Sequence, residues 1–122
     1  KYKPPIMKIT IQNTDYEVTF GFNYMKFYMA KYKLKSFVDF ENHSAKRFSF
    51  PESIGIDEFE VIAKFIYESF TWHLKSKPTL TLEDFNNFLF ENLQLIQEVI
   101  EYYVQCQPKQ GKSQPTPITE GN

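Results

Sequence analysis

Cysteine, glycine and long apolar runs are all scarce in this 122-residue chain, and each shortage excludes a class of function. The single cysteine, Cys106, rules out a disulfide within the chain. The four glycines form no phosphate-cradling loop, and no G-x-S-x-G motif presents a nucleophilic serine. No apolar run reaches the roughly 18 residues that span a bilayer, and no charged-then-apolar leader precedes a small-residue cleavage site. We therefore expect a cytoplasmic protein that does not enter a membrane.

Candidate catalytic and metal-binding residues are equally sparse. His43 and His73 have no second histidine, cysteine or carboxylate at a recognised metal-ligand spacing, so we expect structural or surface roles for both. The acids at Asp57, Glu58 and Glu60 are explained by the first turn of a helix, where the macrodipole favours negative charge. Cys106 has no neighbouring histidine in the sequence to lower its pKa. The sequence thus predicts no enzyme, no metal and no cofactor.

Aromatic residues and an uneven charge distribution are what the chain does contain. Phenylalanine occurs 13 times and tyrosine 8 times, and aromatic residues make up 18% of the sequence, which suits either an aromatic core or an interface. The net charge of −1 conceals a basic first part, about +5 over residues 1–35, and an acidic remainder, about −7 over residues 36–106. Such polarity suits nucleic-acid binding or head-to-tail stacking of identical subunits, and we favour stacking.

A β-hairpin is predicted near the start of the chain. Residues 7–12 alternate apolar and polar side chains, residues 13–15 form a turn, and residues 16–22 alternate again. A lone hairpin is marginally stable in water, so its apolar face requires a cover, and only helices remain to provide it. The sequence therefore predicts an α+β fold. The expected buried face consists of Met7, Ile9, Ile11, Tyr16, Val18 and Phe20.

Four helices are predicted after the hairpin. Asn23 is expected to cap a short helix over residues 24–32. Residues 33–56 show no periodic apolar pattern, which predicts a long loop, and the sequence does not place any short helix or strand within it. Asp57 is expected to cap a long helix that Pro78 closes, with Lys75 and Lys77 near its end. Its inward stripe is expected to comprise Phe59, Ile62, Ala63, Ile66 and Phe70.

The sequence also contains signals for the beginnings and ends of helices in the second half of the chain. Thr81 followed by Asp84 resembles a capping box and begins the third helix. A weak break at Glu91 and Asn92 precedes a fourth helix, which ends near Cys106. The apolar residues of the fourth helix at helical spacing are Leu93, Ile96, Val99, Ile100 and Tyr103.

The chain is expected to form one domain with two flanking segments. At 122 residues its length suits a single domain, which we place at residues 7–106. Because the β pattern starts at Met7, that residue resembles a natural initiator, and residues 1–6 are read as a cloning remnant or an upstream extension. Residues 107–122 are rich in proline, glycine and polar side chains, which predicts a disordered tail.

The order of these elements resembles a known family. The runs MKITI at residues 7–11 and YEVTF at residues 16–20 are followed by a short helix, a loop and a long helix containing Ile66 and Tyr67. The run PTLTLEDF at residues 78–85 then begins a helix that leads to an amphipathic end rich in isoleucine and valine. Together, over residues 7–106, these features resemble the tail assembly chaperones of long-tailed bacteriophages and prophages of Gram-positive bacteria.

The resemblance implies a non-enzymatic protein that binds the tape-measure protein, keeps its apolar helices soluble and helps the major tail protein polymerise into a tube around it. It also implies self-association, a location in the cytoplasm of the bacterial host, and absence from the mature virion. Members of the family often have a longer frameshifted form, and a disordered tail over residues 107–122 would suit that junction.

Two sets of candidate binding residues follow. For the chaperone, the expected contacts are exposed apolar positions: Phe37, Phe40, Phe90 and Tyr102. The alternative function is a small nucleic-acid-binding regulator, because residues 24–35 interleave bases with aromatic rings as single-strand binders do. Its candidate residues are Lys26, Lys31, Lys33 and Lys35.

Overall fold

The structure, a computed structural model, describes residues 5–47 and 54–107 and has the predicted α+β architecture. A two-stranded antiparallel sheet precedes five helices in the described ranges. None of these helices is long and apolar enough to cross a membrane. The elements, in order, are β1 (Met7–Ile11), β2 (Thr14–Val18), α1 (Phe22–Lys31), α2 (Phe37–Arg47), α3 (Ile56–Thr71), α4 (Leu82–Phe90) and α5 (Gln94–Cys106).

The hairpin turn is shorter than the sequence predicts. Ile11 pairs with Thr14, so only Gln12 and Asn13 form the turn, with φ of 53° and 66°. Two successive residues at positive φ are what a type I′ turn requires, and this turn matches the twist of the strands. The predicted three-residue turn over 13–15 is therefore wrong, and Asp15 instead pairs with Thr10 in the sheet.

The second strand also ends earlier than predicted. After Val18 the backbone N–H of Thr19 donates to the carbonyl oxygen of Ser69 in α3 at 3.0 Å. The chain thus leaves the sheet to run against α3. The predicted apolar face is nevertheless confirmed, since Met7 is partly buried and the other five members are buried: Ile9, Ile11, Tyr16, Val18 and Phe20.

The first helix begins at Phe22, with Gly21 at the N-cap. The predicted cap at Asn23 is therefore wrong, and Asn23 is an exposed residue within the first turn. Tyr24 and Tyr28 are buried and contact the ring of Phe65 in α3, with centroids 6.3 Å apart in both cases. The helix ends at Lys31, and the chain turns at Lys33, which has a positive φ of 57°.

The second helix, α2, lies within residues 33–56, the stretch in which the sequence predicts a long loop and leaves any short helix or strand unplaced. Its inward residues are Phe40, Ser44 and Arg47. Because two of the three are polar, no apolar stripe marks the helix. A start signal does exist, since Ser36 Oγ accepts from the N–H of Asp39 at 3.0 Å, as an N-cap side chain does. Residues 48–53 lie outside the described residues.

The long helix, α3, is shifted relative to its prediction. Gly55, and not Asp57, is its N-cap, and the Glu58 carboxylate accepts from the Gly55 N–H at 2.9 Å. It ends at Thr71, well before Pro78, so Lys75 and Lys77 lie beyond it. Its predicted stripe is confirmed, with Phe59 half-buried and four residues buried: Ile62, Ala63, Ile66 and Phe70.

The last two helices follow their predicted signals. Thr81 Oγ1 accepts from the N–H of Asp84 at 3.1 Å, which confirms the predicted cap of α4. The chain breaks at Glu91 and Asn92, and α5 ends at Cys106 as expected. Its buried residues are Leu95, Ile96, Val99 and Tyr103, whereas Leu93 is exposed. Residues 1–4 and 108–122, which include most of the predicted tail, lie outside the described residues.

Candidate partner-binding groove

An apolar groove of about 620 Å³ lies between α1, α2 and the C-terminal turn of α5. It exists because α2 is held on α1 and α3 by its inward residues, which leaves a channel towards the end of α5. The apolar lining comes from all three helices and includes Phe22, Met25, Phe37, Phe40, Tyr103 and Cys106. A concave, mostly apolar surface of this volume is typical of a binding site.

The groove has a buried floor and exposed aromatic margins. Phe40 is 2% exposed and forms part of the floor with Tyr24 and Tyr103. At the margins, Phe22 is 67% exposed and Phe37 is 64% exposed. Large rings left in water beside an apolar channel mark an interaction surface, because covering them removes apolar area from water.

A buried ionic network holds α2 in place beside the groove. Glu68 of α3 accepts hydrogen bonds from Lys31 at 2.7 Å and from Arg47 of α2 at 3.1 Å. The Tyr32 hydroxyl donates to the same carboxylate at 2.9 Å. Burial by itself would raise the pKa of Glu68, but the hydrogen bond from Lys31, the charge of Arg47 and the hydrogen bond from Tyr32 hold it below its usual range. Glu68 is therefore a carboxylate that links three helical segments.

Aromatic rings surround the cation of this network. The guanidinium carbon of Arg47 lies 5.2 Å from the Tyr32 ring centroid and 5.3 Å from that of Phe65. Burial opposes the charge of Arg47, but its hydrogen bond to the Tyr28 hydroxyl and the charge of Glu68 raise its pKa. The C-terminal end of α2 is thus fixed by charge and by ring contacts together.

Two further polar contacts connect α2 to its neighbours. The hydroxyl of Tyr28 lies 2.8 Å from Nδ1 of His43, and the Tyr103 hydroxyl donates to Ser44 Oγ at 3.2 Å. Burial, and then the charges of Arg47 and Lys46, lower the pKa of His43. A neutral imidazole can accept the Tyr28 proton at Nδ1, so the Tyr28 contact is compatible with unprotonated His43. The structural role expected for this histidine is confirmed.

The four predicted chaperone contacts fall at three different places. Phe37 and Phe40 both line the groove, but the prediction that Phe40 is exposed is wrong, because it faces inward from α2 onto Tyr28. Phe90 is 67% exposed at the end of α4 and does not line the groove. Tyr102 is half-buried against Phe20, with ring centroids 6.1 Å apart.

The four predicted nucleic-acid contacts, in contrast, are all exposed. Lys31 is engaged with Glu68, and the Lys26 ammonium lies 5.7 Å from the centroid of the Phe22 ring. The remaining two are Lys33 and Lys35. Of the rings interleaved with these lysines, Tyr24 and Tyr28 are buried, so their faces are not open to stacking bases.

Several groove residues are absent from the sequence prediction. Phe22 and Met25 line the groove, but the alternation of residues 16–22 assigns Phe22 to a strand. Cys106 lines it too, and burial raises the pKa of its thiol although a hydrogen bond with Tyr102 lowers it. In the described residues, no group of three or more histidine, cysteine or carboxylate side chains is placed to hold a metal ion. The groove can bind apolar side chains through van der Waals contact and burial of apolar surface.

Comparisons with protein-family models, with curated proteins and with solved structures give no match for this chain.

Proposed function

We propose that this protein is a non-enzymatic tail assembly chaperone of a long-tailed bacteriophage, and that it binds helical segments of the tape-measure protein in the groove. The observation that carries the proposal is the apolar channel between α1, α2 and α5, with Phe22 and Phe37 exposed at its margins. The sequence resemblance over residues 7–106 supports the same function independently.

An amphipathic helix is the partner that such a groove fits. Helix-in-groove recognition places apolar side chains at i, i+3 or i+4, and i+7 into a hydrophobic channel. The aromatic side chains of Phe22 and Phe37 at the margins and of Tyr103 in the floor offer large contact area with few rotatable bonds. Covering an apolar helix face in this way removes the surface through which tape-measure segments would aggregate.

The binding is expected to be reversible and repeated along the partner. Fully burying one large apolar side chain contributes about 1.5–3 kcal/mol, so a groove with two exposed rings supports moderate affinity per site. Many copies would then coat one long tape-measure protein. Moderate affinity also lets the major tail protein displace the chaperone as the tube polymerises. The protein would act in the cytoplasm of the bacterial host and be left out of the mature virion.

Co-expression with the tape-measure protein of the same phage tests the proposal. We expect the tape-measure protein to become soluble and to co-purify with many copies of this chain. Phe37→Ser should weaken this effect markedly, because it removes an exposed ring from the groove. Ile6→Ser is the matched control, since Ile6, at 67%, is about as exposed as Phe37, at 64%, but does not line the groove. An insoluble tape-measure protein beside a chain that elutes alone as a monomer would overturn the proposal.

Nucleic-acid binding is a second proposal, favoured by four exposed lysines without an acid in residues 22–35. It predicts salt-sensitive retention on single-stranded DNA or RNA. Lys33→Glu tests it more cleanly than Lys31→Glu, because Lys31 also pairs with the buried Glu68. Retention that persists in Lys33→Glu at unchanged salt dependence would count against it.

A further inference from the structure

The lining of the groove contains one charged side chain, the carboxylate of Glu41 on α2. The α2 residues of the lining follow the spacing i, i+3, i+4, i+7 and i+8, which is one face of a helix. Glu41 is exposed and lies one turn beyond the exposed ring of Phe37. The full set on this face is Phe37, Phe40, Glu41, Ser44 and Ala45.

No neighbour neutralises the charge of Glu41 in the described part of the chain. Both ion pairs found there are made by Glu68. Glu41 accepts a side-chain hydrogen bond only at its backbone carbonyl oxygen, from Ser44 Oγ at 3.3 Å. The Lys26 ammonium lies 5.7 Å from the ring centroid of Phe22, on the α1 side, and does not line the groove. The groove therefore presents an unpaired carboxylate beside apolar rings.

The carboxylate of Glu41 also acts on the floor of the groove. Burial raises the pKa of Tyr103 to about 12 against the hydrogen bond with Ser44, and the negative charge of Glu41 adds to this rise. The floor contains a further polar group without a partner. The hydroxyl of Tyr24 is buried and makes no hydrogen bond within the described ranges. A phenol can donate or accept, so the sign of charge that the groove favours is set by Glu41.

We propose that the groove selects helical segments that carry a lysine or arginine beside their apolar face, with the cation paired to Glu41. This inference rests on the proposed function, because it names the chemistry of the segment that binds there. A long basic side chain suits the site, since its apolar stem packs along rings such as Phe37 while its charged end reaches the carboxylate. The faces of the same rings also attract a cation.

The spacing of Phe37 and Glu41 sets the pattern of the segment. The two residues are four positions apart on α2, which is about 6 Å along the helix at about 1.5 Å per residue. A partner helix that lies along α2 therefore places a large apolar side chain at Phe37 and a basic one three or four positions away. Acidic segments and nucleic acids are disfavoured by the same carboxylate.

Three synthetic amphipathic peptides of about 18 residues, or five helical turns, test the selection. They share one apolar face and differ at a single position, four residues after a central leucine, which is lysine, glutamine or glutamate. Calorimetric titration of the full chain should show the lysine peptide binding about fivefold more tightly than the glutamine peptide, and the glutamate peptide most weakly. About 0.5 M sodium chloride should reduce the preference, because salt screens an exposed pair.

Variants of two acids assign the preference to Glu41. In Glu41→Gln the lysine and glutamine peptides should bind within about twofold of each other. In Glu41→Lys the glutamate peptide should bind most tightly. Glu98→Gln is the matched control, because it makes the same change in net charge at an exposed acid of α5 that does not line the groove. The preference of the wild type should persist in this control.

Four outcomes would overturn the inference. One is equal binding of the three peptides by the wild type, and another is a preference for lysine that survives in Glu41→Gln. Tightest binding of the glutamate peptide by the wild type would show that the groove favours an anionic partner. Failure of all three peptides to bind would remove the helix as the occupant.

Failure of this inference can be distinguished from failure of the proposed function by titrating apolar segments of the tape-measure protein in parallel. If these segments bind equally well with and without a basic residue beside the apolar face, the inference fails and the proposed function stands. If the lysine peptide is preferred through Glu41 but no tape-measure segment binds, the proposed function fails. The selection by Glu41 then stands for a helix of another protein.

Discussion

Arg47 of α2 donates to the Glu68 carboxylate of α3 at 3.1 Å, and both side chains are about nine-tenths removed from solvent. The two residues are 21 positions apart in sequence, and their contact joins α2 to α3. Lys31, the other cation on Glu68, is considerably more exposed, at 41%. The pair therefore fixes α2 against the core, and through α2 it sets one wall of the groove.

Removing the charge of Glu68 should destabilise the protein. In Glu68→Gln the shape is kept, but the buried guanidinium of Arg47 loses its counter-charge, and breaking a buried pair typically costs about 3–5 kcal/mol. We expect a loss near the lower figure, since Arg47 keeps its hydrogen bonds to the Tyr28 and Tyr32 hydroxyls and the glutamine amide oxygen still accepts a hydrogen bond. Urea denaturation measures it. Glu60→Gln is the matched control on the same helix, because Glu60 is exposed and should change the free energy of unfolding by less than about 0.5 kcal/mol. Equal effects of the two substitutions would contradict the role of the pair.

Stability should fall in two steps as the pH falls. The pKa of His43 is lowered in the folded state, so the unfolded chain binds more protons once the pH drops below about 6.5, and stability decreases there. The pKa of Glu68 is also lowered, so its contribution is present above about 4.5 and is lost as the pH falls through its folded value. Urea denaturation at pH 7.5, 5.5 and 4 measures both steps. In His43→Gln the first step should disappear, and a wild-type slope between pH 7.5 and 5.5 in that variant would contradict this assignment.

The turn of the hairpin offers a stabilising substitution. Gln12 has φ of 53°, a region that side chains other than glycine, asparagine and aspartate rarely occupy. Gln12→Asn should therefore raise the free energy of unfolding by about 0.5 kcal/mol. Thr14→Asn is the comparison, because Thr14 lies in β2 and pairs with Ile11. That substitution should not stabilise, since asparagine is disfavoured in strands. A gain from Thr14→Asn equal to that from Gln12→Asn would disprove the explanation from φ.

The same residues show what the sequence can and cannot reveal about the fold. The hairpin and the caps of α4 are predictable because alternation and the Thr81–Asp84 contact depend on neighbours in the chain. The turn at Gln12 is missed because glutamine does not signal positive φ. Helix α2 is missed because its inward positions include Ser44 and Arg47, whose burial is compensated by partners far away in sequence. Hydrophobic periodicity identifies a helix whose buried face is apolar, and it does not identify a helix whose buried face is partly polar.

The groove cannot be predicted from local sequence patterns. Its walls come from α1, α2 and α5, and their relative placement follows from the Arg47 to Glu68 pair and from ring contacts across more than 35 positions. Phe37 could be proposed as a contact from the sequence, but its neighbour Phe40 could not be assigned to the floor until α2 was seen. Phe90 could be singled out because it departs from the apolar stripe of α4, and it is exposed as expected.

Phe37 and Phe40 provide the sharpest separation between binding and stability in the groove. Phe40 is 2% exposed and contacts Tyr28 edge-to-face at 5.2 Å, so Phe40→Ala should lower the free energy of unfolding by about 3–5 kcal/mol. Phe37 is 64% exposed, so Phe37→Ala should change stability by less than about 0.5 kcal/mol. The affinity of the Phe37→Ala variant for an apolar helical segment of the tape-measure protein should nevertheless fall about tenfold, which corresponds to about 1.4 kcal/mol of binding free energy. Urea denaturation and calorimetric titration with the segment measure the two quantities on the same samples. A Phe37→Ala variant that binds the segment like the wild type would place the partner elsewhere on the surface, because a ring at the groove margin that contributes nothing to binding is not a contact.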